Sequence, residues 1–228
     1  ALEDCIDIPE NVVRTVYTTL SPIVRKNYET LAAESVLYTK QGTINAVNAG
    51  ARVKKLLQLL TGAVYDQEGN VLKVHDERYE LIMDLIEVRK HSLVAFNWKH
   101  ERDQLIKKAE KRDITYAVID GDVAPSNRKD IVDRFQNGHF QVLFAHPQSA
   151  SHGLTLTKGT SAIWSSPTYN AEHFQQFNRR IHRAGQNYKT ETILVTARNT
   201  WEENVYSKLN TKMGRMENLL HVLCELSN

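Results

Sequence analysis

Ser92-Leu93-Val94-Ala95-Phe96, then the charged stretch 99–111, then Ile114-Thr115-Tyr116-Ala117-Val118-Ile119: this succession decides the fold class. The five-residue apolar run is short for a helix and suits a strand covered on both faces, whereas 99–111 has the length and mixed charge of a surface helix. Parallel strands need a long crossover, so strand, helix, strand is the unit of an open parallel sheet. The unit repeats outward. Ser126 is placed to cap a helix carrying Ile131, Val132 and Phe135 at helical spacing and stopping near Gly138, and 140–144 and 161–164 are further strands. Pro167 breaks the chain. A helix is predicted over 171–183, with Gly185 as its C-cap, and 192–196 is a fifth strand. The tail 201–226 is an amphipathic helix with Val205, Leu209, Met213, Met216, Leu219 and Leu223 near one face.

The first 90 residues differ in character. A β-like stretch at 12–19 precedes helices at 22–33 and 44–60, and two short strand-like runs within 63–74 flank the polar turn Gln67-Glu68-Gly69-Asn70, the pattern of an exposed hairpin. Asp76 is placed to cap a helix running through Val88. With no repeat, low-complexity tract or Pro/Gly-rich linker, residues 1–90 are expected to form a strand and helical preface packed on an α/β domain at 91–228, as one structural unit.

Bulk properties exclude more than they assign. No apolar run approaches a membrane span, and the N-terminus lacks the basic-then-apolar pattern of a signal peptide, so a cytoplasmic, nucleoid-associated protein with no membrane partner is expected. Cys5 and Cys224 lie at opposite ends, and the nine histidines form no HExxH pattern, so no metal site is expected. Twenty-nine Lys and Arg against 27 Asp and Glu give a net charge of +2, which permits a nucleic-acid partner without requiring one. The first residue is Ala1, not Met, as expected of a piece of a longer chain.

The segment with chemical content is Gln176-Phe177-Asn178-Arg179-Arg180-Ile181-His182-Arg183-Ala184-Gly185-Gln186. On a helix, Gln176, Arg180 and Arg183 stand at i, i+4 and i+7, so one face presents an amide and two guanidiniums. Two permanent cations that bind phosphate oxygens bidentately suit the charge that develops on a transferring phosphoryl group. A solvated basic helix face would show the same spacing.

These residues resemble the sixth motif of Swi/Snf-type superfamily-two helicases, Q-x-x-x-R-x-H-R-x-G-Q, with Arg179 standing where the family carries an acidic residue. Other matches fall in family order. Leu93 through Trp98 resembles motif four; Ile119-Asp120-Gly121, Arg128 and Asp133-Arg134-Phe135 resemble the L-D-G, R and R-F pattern; residues 144–157 resemble motif five through Gly153, Leu154, Leu156 and Thr157, with Ala150, Ser151 and Thr160 departing from it. Leu20-Ser21-Pro22 with Arg25 and Tyr28, and Thr200 through Tyr206, resemble the stretches that open and close this domain, so the resemblance spans nearly the whole chain.

The resemblance implies a RecA-like sheet, the second motor domain of a DNA-dependent ATPase and translocase. It implies Arg180 and Arg183 as the catalytic arginines, Gln176 and Gly153 beside the nucleotide, and Asn97, Lys99, Ser149 and Ser151 on the DNA backbone. ATP and Mg2+ would be held mainly by an N-terminal RecA-like domain of the same parent chain, because no G-x-x-x-x-G-K-[ST] loop or acidic pair at a strand end occurs in these residues, and double-stranded DNA would be the other partner. These residues by themselves are therefore expected to be inactive. A non-catalytic nucleic-acid-binding or scaffolding module that kept the fold remains the alternative, favoured by the departures at Ala150, Ser151, Thr160 and Arg179 and opposed by Gln176 and both arginines.

Overall fold

The computed structural model describes residues 8–39, 41–150 and 153–226, with side chains described as far as Met213. In chain order the elements are β1 (Asn11–Thr18), α1 (Pro22–Glu34), β2 (Val36–Thr39), β3 (Gly42–Asn45), α2 (Ala49–Leu60), β4 (Ala63–Tyr65), β5 (Val71–Lys73), α3 (Glu77–Glu87), β6 (Ser92–Ala95), α4 (Lys99–Lys111), β7 (Tyr116–Ile119), α5 (Pro125–Gln136), β8 (Val142–Ala145), α6 (Pro147–Ala150), β9 (Ser161–Trp164), α7 (Ala171–Asn178), β10 (Thr190–Ala197) and α8 (Trp201–Leu226). Among the described residues no helix is long and apolar enough to cross a membrane.

Six strands form one sheet in the order β1-β10-β9-β6-β8-β7, and every pairing is parallel. The fold is α/β and RecA-like, as expected. The three central short strands β6, β8 and β9 are wholly buried. Their alternation sends Leu93, Leu143, Ala162 and Trp164 to one face, packed with Phe135 of α5, Phe174 and Phe177 of α7 and Tyr206 and Leu209 of α8. Val94, Phe144, Ile163 and Ile193 go to the other, against Tyr79, Ile82, Met83 and Ile86 of α3 and Leu105 of α4. A third core joins α1, α2 and the two antiparallel strand pairs to Ala197 and Val205. The sheet takes its first strand, β1, from within residues 1–90.

Several local expectations are corrected. Strands β2 and β3 pair antiparallel, with Leu37 opposite the buried Ile44, so α2 begins at Ala49 and not at Ile44. Its start is set by Asn48, whose side chain accepts the Ala51 N–H at 2.8 Å. Helix α5 begins at Pro125 with Ala124 before it, so Ser126 lies inside the first turn and does not cap. Asp76 stands at the start of α3 without capping it, because its carboxylate pairs with Lys108 on α4 at 2.8 Å. Helix α7 ends at Asn178, five residues short of the predicted end, so Gly185 (φ 90°) serves a later turn. Of the expected apolar face of α8, Val205 and Leu209 are buried and Met213 packs beside them. The side chains of Met216, Leu219 and Leu223 lie outside the described residues.

Two buried polar groups tie these layers together. Arg78 of α3 and Glu202 of α8, both fully buried, pair at 2.8 Å; Arg78 also donates to the Ser165 carbonyl, and Glu202 accepts the Ala197 N–H at 2.7 Å. Glu101 of α4 accepts from the Asn97 and Trp98 N–H groups (2.7 and 3.1 Å) and from the hydroxyls of Ser165 and Ser166 (2.8 and 3.1 Å). Removing one partner of such a pair leaves a buried charge uncompensated. Arg78→Met should cost about 3–5 kcal/mol in urea denaturation, and adding Glu202→Leu should recover most of it.

His100 carries a pH dependence. Its Nε2 meets the Thr61 hydroxyl at 2.8 Å, its ring stacks on Trp98 at 5.9 Å, and burial holds its pKa at about 4 against the ordinary 6.5. Below pH 6.5 the unfolded chain takes up a proton that the folded histidine refuses until about pH 4, so stability falls across that window as pH falls. Between pH 7 and 4.5 the native protein should lose about 2 kcal/mol from this group, measured by urea midpoints, and His100→Gln should flatten that dependence.

Candidate functional site

The segment after α7 leaves the helix in tight turns: Arg180 N–H bonds Phe177 O at 3.0 Å, His182 N–H bonds Asn178 O at 3.2 Å, and Gln186 N–H bonds Arg183 O at 3.0 Å. The arginines therefore do not share a helical face with Gln176, as their spacing predicts. They converge by another route. Nη1 of Arg180 and Nη1 of Arg183 both point to the carbonyl of Leu154, at 3.2 and 3.4 Å, and a backbone bond from Leu156 N–H to Arg180 O at 2.9 Å fastens the same turn to the 154–157 strip.

Gln186 explains why the helix stops. Its buried Nε2 donates toward the carbonyls of Ile181, Gly159 and Thr157 at 2.9, 3.1 and 3.0 Å, and its Oε1 accepts the Tyr188 N–H at 3.0 Å. One amide thus welds two loops whose bonded residues lie 27 and 29 positions apart, and a continued helix would carry it away from them. His182 closes the other side through Nε2–H to the Pro9 carbonyl at 2.9 Å, which fixes its tautomer because a carbonyl only accepts. Sequence reasoning counted Gln186 as part of a signature without seeing that its role is to brace it.

The result is a cleft of 370 Å³ lined by Ile8, Gln176, Arg179, Arg180, His182 and Arg183. Arg180 is buried, and burial first, then the charge of Arg183, lowers its pKa. Arg183 is half-buried and has no carboxylate partner among the described residues. Gln176 folds back along α7 to Glu172 at 2.8 Å. Gly153, with φ 62° and open space where a Cβ would stand, lines a neighbouring cavity with Arg128 and Lys129 and not this cleft.

The residues predicted to meet DNA gather elsewhere, at the carboxyl ends of β6, β7 and β8, where open parallel sheets bind ligands. A second cavity of 280 Å³ there is lined by Asn97, Lys99, Asp120, Asp122, His146 and Ser149, among others. Within it the Asn97 amide is committed to Ser166 (Oγ at 2.8 Å, carbonyl at 3.2 Å) and Pro167 O at 3.3 Å, so it braces the strand ends. Lys99 is exposed and pairs with the exposed Asp122 at 3.3 Å, a contact worth little in water. Ser151 lies outside the described residues. Ser149, in α6, and Leu154, under the arginines, stand five positions apart in the sequence, so the two sites are near one another along the chain.

Gln186→Leu should lower stability by about 2 kcal/mol, the cost of orphaning buried carbonyls, in thermal unfolding, and should open residues 179–189 to limited proteolysis.

Residues 77–185 match the helicase conserved C-terminal domain. The chain is 29% identical over 229 residues to protein p41 of Acyrthosiphon pisum secondary endosymbiont phage 1, covering 96% of this chain and 48% of p41. It is 25% identical over 136 residues to SWI/SNF-related matrix-associated actin-dependent regulator of chromatin subfamily A-like protein 1 of Xenopus tropicalis, covering 59% of this chain and 14% of that protein. The crystal structure of the C-terminal part of the Fun30 ATPase domain superposes with a TM-score of 0.66 at 13% identity, over 88% of this chain and 89% of that one. The chain thus spans about half, or far less, of the length of these curated relatives.

Proposed function

From a chain whose residues 77–185 match the helicase conserved C-terminal domain and whose relatives include Swi/Snf-type proteins, we propose the second motor half of an ATP-driven translocase on double-stranded DNA. The helicase C-terminal match and the Swi/Snf-type relatives support a helicase-type motor domain, and to this we add roles for the arginines and for DNA contact. One observation carries it. Arg180 and Arg183 converge on a single carbonyl at the wall of an open cleft, with Arg183 unmatched by any described carboxylate. Cations gathered at a concave surface are poised for a polyanion, and guanidiniums suit phosphate oxygens above other groups.

The cleft offers guanidiniums, an amide and an imidazole, donors that fit phosphate and do not fit Mg2+. Magnesium, and the loop that cradles the nucleotide, are therefore assigned to a first RecA-like domain of a longer parent chain. ATP bound there supplies the phosphoryl bond whose cleavage drives the motor. This chain's part is electrostatic. On closure Arg183 swings from the Leu154 carbonyl to the outermost phosphate, Arg180 backs it from within, and Gln176 borders the nucleotide. Residues 1–90 and 91–228 would move together, since Arg78 and Glu202 lock them through the interior.

The opposite task falls to the strand-end cavity. Lys99, Ser149 and Ser151 would meet DNA phosphates, with Asn97 holding the loop behind them, so binding would be salt-sensitive and largely indifferent to sequence. Because Ser149 and Leu154 are near one another along the chain, closure on nucleotide would shift the backbone that touches DNA.

In the parent chain, Arg183→Ala should reduce DNA-stimulated ATP hydrolysis by about a thousandfold. Hydrolysis unchanged by the substitution would remove the arginine role, and a parent with no hydrolysis at all would favour the non-catalytic scaffold. The 228-residue chain alone should show negligible turnover in the same assay.

A further inference from the structure

We propose that Arg179 is a third phosphate-binding cation, set at the rim of the arginine cleft to capture a nucleoside triphosphate before Arg180 and Arg183 engage it. The inference rests on the cleft being the nucleotide-facing surface and adds a residue and a step to that reading.

Arg179 lines the same cleft as Arg180 and Arg183 and is exposed. Its backbone is held firmly: it ends α7 in helical geometry (φ −68°, ψ −5°), its N–H bonds Gln175 O at 3.0 Å, and the next residue is tied back to Phe177 O at 3.0 Å. The side chain makes no hydrogen bond or ion pair to any described residue, so its five donors are available on a stem whose root does not move. Glu172, about two turns earlier on α7, accepts from Gln176 at 2.8 Å.

Three guanidiniums line 370 Å³, and repulsion from Arg183 adds to the cost of burying Arg180. An anion entering the cleft relieves that repulsion. A triphosphate concentrates several negative charges within one small group, whereas duplex DNA spreads single charges along an extended backbone, so a concave cluster of three cations fits the first better. The exposed arginine is reached first from solvent; the half-buried Arg183 and buried Arg180 lie deeper. Capture at the rim is uniform binding, so Arg179 belongs to affinity and not to the chemical step.

The test titrates inorganic tripolyphosphate into the 228-residue chain at low salt by calorimetry, comparing the native protein with Arg179→Ala, Arg179→Lys and Arg183→Ala, with thermal midpoints recorded for each. Arg179→Ala should weaken binding about fivefold, the worth of an exposed charge contact, with its midpoint unchanged, and Arg179→Lys should keep part of the affinity. Weakening by Arg183→Ala with none from Arg179→Ala overturns this inference and leaves the cleft reading standing. No weakening from Arg183→Ala overturns both. Should Arg179→Ala lower the midpoint, the lysine variant decides: failure to restore affinity in a protein of native stability overturns the proposal. A short DNA duplex that loses affinity as much as tripolyphosphate does in Arg179→Ala overturns it in favour of nucleic acid. In the parent chain, Arg179→Ala should raise KM for ATP about fivefold and leave kcat within about twofold.

Discussion

Arg78 has no access to water, and a guanidinium stays charged at any pH the cell offers, so the fold has to provide at its centre what solvent would have provided. It does so with Glu202 from the closing helix and the carbonyl of Ser165 from the end of β9. Next to this pair Glu101, equally buried, collects two backbone N–H groups and two serine hydroxyls from the loops after β6 and β9. Burial alone would push both carboxyls up toward the neutral form, and Arg78 together with these donors works against it. The network is conditional on every member being in place, which makes it a device for holding α3, α4, α8 and the carboxyl ends of β6 and β9 in one arrangement.

That arrangement is what the two clefts are built on. The strand-end cavity opens where Asn97, fastened to Ser166 and Pro167, follows β6; its floor is the loop that Glu101 organises. The arginine cleft depends on a second brace of the same kind, the Gln186 amide, which binds the turn after α7 to the strip before β9. In each case a buried polar side chain with full hydrogen bonding sets loop geometry more sharply than apolar packing could, because an amide or carboxylate accepts only a few directions. The exposed groups that meet ligands then need no rigidity of their own. Lys99 and Arg183 hold only single, long contacts at their tips, to Asp122 at 3.3 Å and to the Leu154 carbonyl at 3.4 Å, while their roots are fixed.

Charge is distributed unevenly for so balanced a composition. On the α3–α4 surface, Lys108 and Arg112 are matched by Asp76, Glu80, Asp84 and Glu87, a ladder that draws the Glu80 carboxyl down to about 2 and consumes cations in stabilising two helices. Arg179 and Arg183 have no such matching among the described residues. A net charge of +2 thus conceals a neutralised flank and a cationic cleft, which is why composition alone could not point to a polyanion.

Much of the fold was legible in the sequence because its signals are local. Short apolar runs too brief for helices, separated by amphipathic stretches, have few solutions besides a parallel sheet, and the strands at β6, β8 and β9 appeared where the runs lie. Residue types also marked the arginine segment, through its spacing and its family resemblance. Tertiary structure alone decided the rest. It placed β1 from the preface at the sheet edge, paired β2 with β3, took Asp76 from its capping role to Lys108, and ended α7 at Asn178. Each of these outcomes depends on a partner distant in sequence, and a helical period cannot register a hydrogen bond from Gln186 to Thr157. Residue spacing carries periodicity; where two guanidiniums point is set by what the backbone between them is tied to.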